Sequence, residues 1–299
     1  MTPTDTFQTH RPRLFALAYR LLGSRSDAED IVQDAWLRWQ GADTGGIRDP
    51  EGWLVTATTR LGLDRLRALR SARVEYVGPW LPEPLEIALD PDPLQDPAQR
   101  HALADEVSVA FLALLEQLKP DERAAFLLKD VFDYDYPDIA PLLEHSPANC
   151  RQLVHRARQR LQTGAPRFTV SPAQQRDLLA RFMAASQQGD LEAIRALLDA
   201  NAEMISDGGG RVTAAIRPLL GAERIAQLYW AIARRNGQHP AQLGQVNGEP
   251  AILRFAGDQL HSVTMITVDA GRIVRVLSVL NPEKLTALVT ARDAGASSR

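Results

Sequence analysis

The stretch SPANCRQLVHRARQRL, Ser146 to Leu161, decides how the rest of the chain is read. Ser146 is a natural N-cap and Pro147 suits the first helical position, where a missing N–H costs nothing. From there Cys150, Leu153, Ala157 and Leu161 recur on one face of a helix, while Asn149, Gln152, His155, Arg156 and Gln159 lie away from it. The segment carries Arg151, Arg156, Arg158 and Arg160 with no acid. Just before it, DYPDIAPLLE (135–144) reads as a second short helix, with Pro141 expected to kink it or delay its start. Two short helices joined by a tight turn, the second amphipathic and basic, describe a helix-turn-helix. Arginines there neutralise phosphates, and Asn149, Arg151 and Gln152 have the donors to read base edges. A solvated helix on an all-α bundle would carry much the same pattern.

The overall charge of −3 across 299 residues argues against a nucleic-acid binder, but its distribution does not. Residues 60–76 place Arg60, Arg65, Arg67, Arg70 and Arg73 against Asp64 and Glu75. Residues 77–106 place seven acids against Arg100. Two basic helices thus flank an acidic connector, and the local field governs phosphate binding. At 45% hydrophobic and 24% charged residues, the composition is that of a soluble globular protein. A single cysteine, Cys150, on the apolar face of its helix, reads as a small buried hydrophobe in a reducing cytoplasm. No apolar run suggests a membrane span or a secretion signal. The six histidines are scattered without ligand spacing, so no metal site and no cofactor are expected.

Towards the N-terminus, AEDIVQDAWLRW (28–39) repeats Ile31, Val32, Ala35, Trp36 and Trp39 at helical spacing, with Ser26 or Asp27 as expected N-cap. Pro50 opens another helix, PEGWLVTATTRLGLDRLRALRSAR, whose apolar face includes Trp53, Leu54, Ala57, Leu61 and Leu66. The connector at 77–106 has six prolines, which deny it a helix interior or a central strand. Fully extended, it would reach roughly 100 Å at about 3.3 Å per residue. Residues 107–162 are helical again. After about residue 171 come helices at 172–188 and 190–198, strands near 202–206 and 211–216, a helix at 221–235, and strands near 242–247, 250–256, 260–268 and 272–280. Asn-Gly and Ala-Gly turns separate the last strands. That order suggests a curved antiparallel sheet with helices on one face.

At this level of detail the residues resemble a family. AEDIVQDAWLRW followed by PEGWLVTATTRLGLDRLRALR is similar to region 2 of the bacterial extracytoplasmic-function (ECF) sigma factors, and residues 118–161 are similar to their region 4. WLPEPL (80–85), DGGGRV (207–212) and NPEKL (281–285) resemble the signatures of the subgroup with a fused C-terminal SnoaL-like domain. The resemblance implies a multidomain fold: two all-α sigma domains, at 1–76 and 107–165, an acidic Pro-rich linker at 77–106, and an α+β cone at 170–299. It implies a cytoplasmic, non-enzymatic subunit that brings RNA polymerase to promoters.

Residue by residue, the resemblance assigns Asp30, Gln33, Asp34 and Leu37 to the β′ coiled coil of core polymerase. It assigns Arg60, Arg65, Arg67 and Arg70 to the −10 element, and Asn149, Arg151, Gln152, His155 and Arg156 to the −35 element. The C-terminal domain is expected to modulate activity by packing on region 2 and the linker, with regulatory contacts between domains at Trp80, Leu81, Pro82, Glu83, Pro84, Asp207, Gly208, Gly209, Gly210, Arg211, Asn281, Pro282, Lys284 and Leu285. A separate anti-sigma factor is not expected to be required. In the C-terminal cone Asp207, His261 and Tyr229 could form a cavity set for a small ligand or for catalysis. A one-component helix-turn-helix regulator switched by such a ligand is the competing reading.

Overall fold

The computed structural model describes residues 2–72, 75–85, 87–89, 108–164, 171–235 and 239–286. Arg73 and the connector at residues 90–106 lie outside the described residues. The chain divides into two compact units, residues 1–75 with 112–164 and residues 76–111 with 165–299. Both sigma-like modules therefore fall in one unit, and the start of the connector falls in the other.

In the helical unit, α1 (Pro3–Leu22), α2 (Arg25–Gln40) and α3 (Pro50–Ala72) form a bundle. Its centre is Leu14, Leu17, Leu21, Ile31, Val32, Ala35, Leu54 and Leu66. Gly23 ends α1 in the left-handed region, so Ser24 already caps α2 by accepting from the Asp27 N–H at 3.3 Å. The expected caps at Ser26 and Asp27 therefore lie two and three residues too late. The later helices are α4 (Val109–Leu115), at the division between the units, α5 (Pro120–Phe126), continued by a wide turn at Leu127–Val131, α6 (Tyr136–Leu143) and α7 (Pro147–Gly164). α6 begins at Tyr136 despite Pro141, so the delayed start does not occur. Glu144 closes it with φ 58°, and Ser146 Oγ caps α7 by accepting from the Asn149 N–H at 3.2 Å. Cys150, Leu153, Val154, Ala157 and Leu161 are buried, which seats α7 on its predicted apolar face.

The second unit is α+β. Helices α8 (Pro172–Gln188), α9 (Leu191–Leu197) and α10 (Ala222–Arg234) cover one face of a seven-stranded sheet of order β1-β4-β5-β6-β7-β2-β3. The strands are β1 (Ile87–Leu89), β2 (Leu198–Asp207), β3 (Leu219–Leu220), β4 (Ala241–Val246), β5 (Glu249–Ala256), β6 (Gln259–Asp269) and β7 (Arg272–Val279). The short helix α11 (Pro282–Leu285) follows. Asn247-Gly248 and Ala270-Gly271 have positive φ, as two-residue hairpin turns require.

Three sequence expectations change. The sheet is mixed rather than antiparallel, because β2 and β7 run parallel with Met204 opposite Val276 and Asp207 opposite Val279. No strand forms at 211–216, where turns and bends carry the chain from Gly209 to the short β3. The connector also contributes a strand: Ile87 pairs with Val246 and Leu89 with Gly244. It joins at the sheet edge, the position where a proline-rich segment is tolerated.

Candidate nucleic-acid interface

On α7 the residues turned away from the core form an exposed polar stripe. Arg151, Gln152, His155 and Arg156 line a shallow groove of about 360 Å³. Their roles are not equivalent. The Arg151 guanidinium lies 5.2 Å from the centre of the Tyr136 ring, on the preceding helix. Arg156 is tied inward, donating from Nε to the buried Glu122 carboxylate at 3.0 Å, and Arg160 reaches the same group at 2.8 Å. Arg156, expected to touch DNA, thus serves in this structure to seat α7 on α5. Arg158 is similarly held by Asp130 at 2.5 Å. Gln152 and His155 are exposed on the open face, and Asn149 is half-buried at its start.

The basic residues of α3 are also engaged. Arg60 donates to the Pro141 carbonyl at 2.9 Å and lies 3.7 Å from Glu144. Arg67 meets Asp121 at 2.9 Å, and Arg70 donates to the Leu118 carbonyl. Arg65 alone of the four stays within the first three helices, on Asp27 at 2.6 Å. The expected −10 contacts Arg60, Arg67 and Arg70 are therefore turned onto the helix-turn-helix module. Three residues that the sequence reading did not single out complete this clasp. Arg13 lies over the Phe132 and Tyr134 rings, Arg20 lies over Phe132, and the fully buried Arg123 donates to the Arg20 carbonyl at 3.1 Å. On α2, Asp30, Gln33, Asp34 and Leu37 form a continuous exposed stripe, with Leu37 56% exposed.

In the α+β unit the three separated signatures meet at one carboxylate. Asp207 is completely buried at the end of β2. Its Oδ1 accepts from the Tyr76 hydroxyl at 2.5 Å and the Gly209 N–H at 3.1 Å. Its Oδ2 accepts from the Leu81 N–H at 2.8 Å and from Lys284 Nζ at 2.6 Å. Lys284 also donates to the Leu81 carbonyl and lies 4.1 Å from the centre of the Trp80 ring. Asn281 caps α11 and donates to the Tyr76 hydroxyl at 3.0 Å. Burial, then the hydrogen bond to Asp207, drives the Tyr76 phenol upward.

Leu81, Pro82, Glu83, Pro84, Gly208 and Leu285 are buried around the node, while Arg211 pairs with Glu283 at the surface and Pro282 is exposed. Gly209, at φ +59°, is required here because a Cβ would stand 2.3 Å from Asn281 Nδ2. Tyr76 is the participant that the sequence reading missed; its adjacency to the WLPEP stretch was the only signal. The imagined cavity set does not form. Asp207 faces the connector, Tyr229 packs edge-on against Phe182, and His261 lies beside His239.

Residues 6–72 match the Sigma-70 region 2 family and residues 108–161 match Sigma-70 region 4. The chain is 35% identical over 292 residues to the ECF RNA polymerase sigma factor SigJ of Mycobacterium tuberculosis, covering 94% of this chain and 92% of that protein. The chain belongs to the ECF sigma factors. A second M. tuberculosis relative, the probable ECF sigma factor SigI, is 33% identical across 94% of both chains. The crystal structure of M. tuberculosis SigJ superposes with a TM-score of 0.75 at 34% identity, over 95% of this chain and 99% of that one. The helical sigma regions and the α+β domain are thus shared with a solved family member, and the chain is a promoter-directing factor for transcription initiation. Among the described residues, no helix is long and apolar enough to cross a membrane.

Proposed function

We propose that this sigma factor holds its promoter-reading surfaces in a closed arrangement and that its C-terminal domain acts as a clamp on the connector. The α2 stripe of Asp30, Gln33, Asp34 and Leu37 docks on the β′ coiled coil of core polymerase. The α7 groove enters the −35 major groove, with Arg151 and Gln152 reading base edges and Asn149 and His155 beside them. Arg60, Arg65, Arg67 and Arg70 serve the −10 element after leaving their intramolecular partners.

The observation that carries this reading is the clasp itself. Three arginines expected on promoter DNA are engaged by Glu144, Asp121 and backbone carbonyls of the helix-turn-helix module. A row of phosphates offers a guanidinium charged partners in place of neutral carbonyls and two exposed carboxylates, so polymerase and promoter binding favours an open form. The Asp207 node supports a regulatory role for residues 170–299, because it anchors Trp80 to Pro84 at the head of the connector. With that anchor inside the same chain, no separate anti-sigma factor is required.

Run-off transcription with purified core enzyme tests the proposal. The full chain should initiate at a cognate promoter, and an Arg151→Ala, Gln152→Ala double variant should lose upstream-element protection. Intact upstream footprints in that variant would refute the placement of α7. Specific promoter binding by the isolated chain that core enzyme does not strengthen would favour a one-component regulator instead.

A further inference from the structure

The arginines of α7 are held in two different ways. Arg156 and Arg160 both meet the Glu122 carboxylate, and Arg158 meets Asp130. Arg151 meets no carboxylate among the described residues. Its guanidinium rests instead 5.2 Å from the centre of the Tyr136 ring. An ion pair occupies N–H donors, whereas contact with an aromatic face holds the cation and uses none of them.

The backbone of Tyr136 is fixed on both sides. The residue opens α6, with Pro137 next to it in the first turn. Ahead of it Asp133 turns the chain at φ 58°, and the Tyr134 N–H donates to the Leu128 carbonyl at 2.9 Å. Behind it the turn into α7 is closed by the His145 N–H on the Ala140 carbonyl at 3.0 Å, and Ile139 of α6 and Cys150 of α7 are completely buried. The ring and the base of Arg151 thus belong to one packed helix pair, the condition for holding a side chain in a single direction. Lys129 also approaches the ring, at 5.5 Å, but its ammonium is paired with Asp135 at 3.0 Å. Arg151 is therefore the cation on this ring that no described carboxylate neutralises.

Arg151 lies on the exposed stripe with Gln152 and His155. A guanidinium held by its face and unspent at its edge suits the N7 and O6 acceptors of a guanine, to which arginine donates bidentately. Holding it beforehand lowers the entropy lost when both bonds form in one plane. We infer that Tyr136 is a specificity-determining positioning residue, whose ring aims Arg151 at one guanine of the −35 element. The inference rests on α7 entering that major groove, and the experiment separates the two.

Holoenzyme formed from core polymerase and the full chain is footprinted on a promoter panel in which each base pair of the −35 element is changed in turn. The wild type should lose about tenfold in affinity when one particular G·C pair is changed. Arg151→Ala should abolish that penalty. Tyr136→Leu should reduce it about two- to fivefold, the worth of an exposed cation–π contact, with the penalties at the other pairs unaltered. Tyr136→Phe, which keeps the ring, should keep the penalty, and Tyr136→Trp should keep or raise it. On an Arg151→Ala background, Tyr136→Leu should change nothing further at that pair.

A uniform fall across the panel in Tyr136→Leu, with the G·C penalty intact, would mark a structural or phosphate-binding tyrosine and overturn the inference. So would loss of the penalty in Tyr136→Phe or Tyr136→Trp, and these two variants decide the matter if a thermal melt shows Tyr136→Leu to be unfolded. An unchanged panel in Arg151→Ala would refute the placement of α7 and this inference with it. A penalty that depends on Arg151 but survives whole in folded Tyr136→Leu would refute this inference alone.

Discussion

Replacing Asp207 by Asn keeps the shape of the side chain and removes the charge on which the connector is anchored. Each carboxylate oxygen accepts two donors, the Tyr76 hydroxyl and Gly209 N–H on one, the Leu81 N–H and Lys284 ammonium on the other. An amide NH₂ turned towards either pair sets donors against donors. Reversing the Tyr76 proton compensates poorly, because its oxygen already accepts from Asn281 and its own O–H would lose its partner. The Lys284 side chain is 11% exposed and Asp207 is fully buried, so the loss is that of a buried pair, about 3–5 kcal/mol. Released locally, that energy raises the opening constant of the segment roughly a hundred- to a few-thousand-fold. Hydrogen exchange should register it as loss of protection at the Leu81 amide and across residues 76–85, with α1 to α3 unchanged. A double change, Asp207→Asn with Lys284→Met, should recover part of the protection, because the stranded ammonium is then absent. Wild-type exchange at 76–85 in Asp207→Asn would refute the assignment of the carboxylate as the anchor.

Three further outcomes follow from other sites. Burial pushes the Glu249 carboxyl up to about 7 from its ordinary 4.5, against a hydrogen bond with Ser108 that lowers it. A group whose pKa is raised on folding stabilises fully below its unfolded value, so this contribution fades as pH climbs from about 4.5 through about 7. Glu249→Gln should flatten that decline in a pH series of thermal melts, and an unchanged slope would contradict it. Glu122→Gln removes the carboxylate that receives Arg156 and Arg160, at a cost of about 1.5–3 kcal/mol, and should lower the melting temperature of the helical unit. An unshifted melt would show that this pair does not seat α7. Asp121→Ala with Glu144→Ala removes the carboxylates that hold Arg67 and Arg60 across the module, leaving Arg67 its neighbour Asp64 and Arg60 the Pro141 carbonyl, and should strengthen promoter protection by the holoenzyme, most clearly at low salt; weaker protection would overturn the closed arrangement.

Periodicity and capping made the helical unit legible. SPANC announces α7 because Ser146 and Pro147 act within a few residues, and its buried face follows from a 3.6-residue repeat that no distant contact alters. The hairpins of β4 to β7 were equally local, marked by Asn247-Gly248 and Ala270-Gly271. What escaped was non-local. The parallel pairing of β2 with β7 joins residues some seventy positions apart and has no turn to signal it. The connector strand depends on an open edge at β4, which its own proline content cannot reveal. Arginine charges were visible in the sequence but their partners were not. Arg156 and Arg60 look alike as exposed helical arginines until Glu122 and Glu144 are placed beside them.

The two restraints in this chain differ in physical kind, and that difference bears on how each is released. The ion pairs by which α3 enters the clasp lie near the surface, unlike the buried Arg123 and Arg20: Arg67 is 52% exposed and Asp121 35%, Arg60 46% and Glu144 79%. Such pairs contribute about 0–1 kcal/mol each and weaken with salt. A duplex offering a row of phosphates can replace them without further help, so this restraint delays promoter binding more than it forbids it. The Asp207 node is centred on a fully buried carboxylate, multiply bonded and roughly insensitive to salt, with a cost of several kcal/mol for breaking it. Neither ionic strength nor DNA alone supplies that at the connector. Its release needs a partner with comparable contacts for Trp80 and Leu81, and core polymerase is the partner this family engages. On the proposed function, the energies then order the events: the arginines would exchange partners readily, and the connector would stay on its domain until the polymerase takes it.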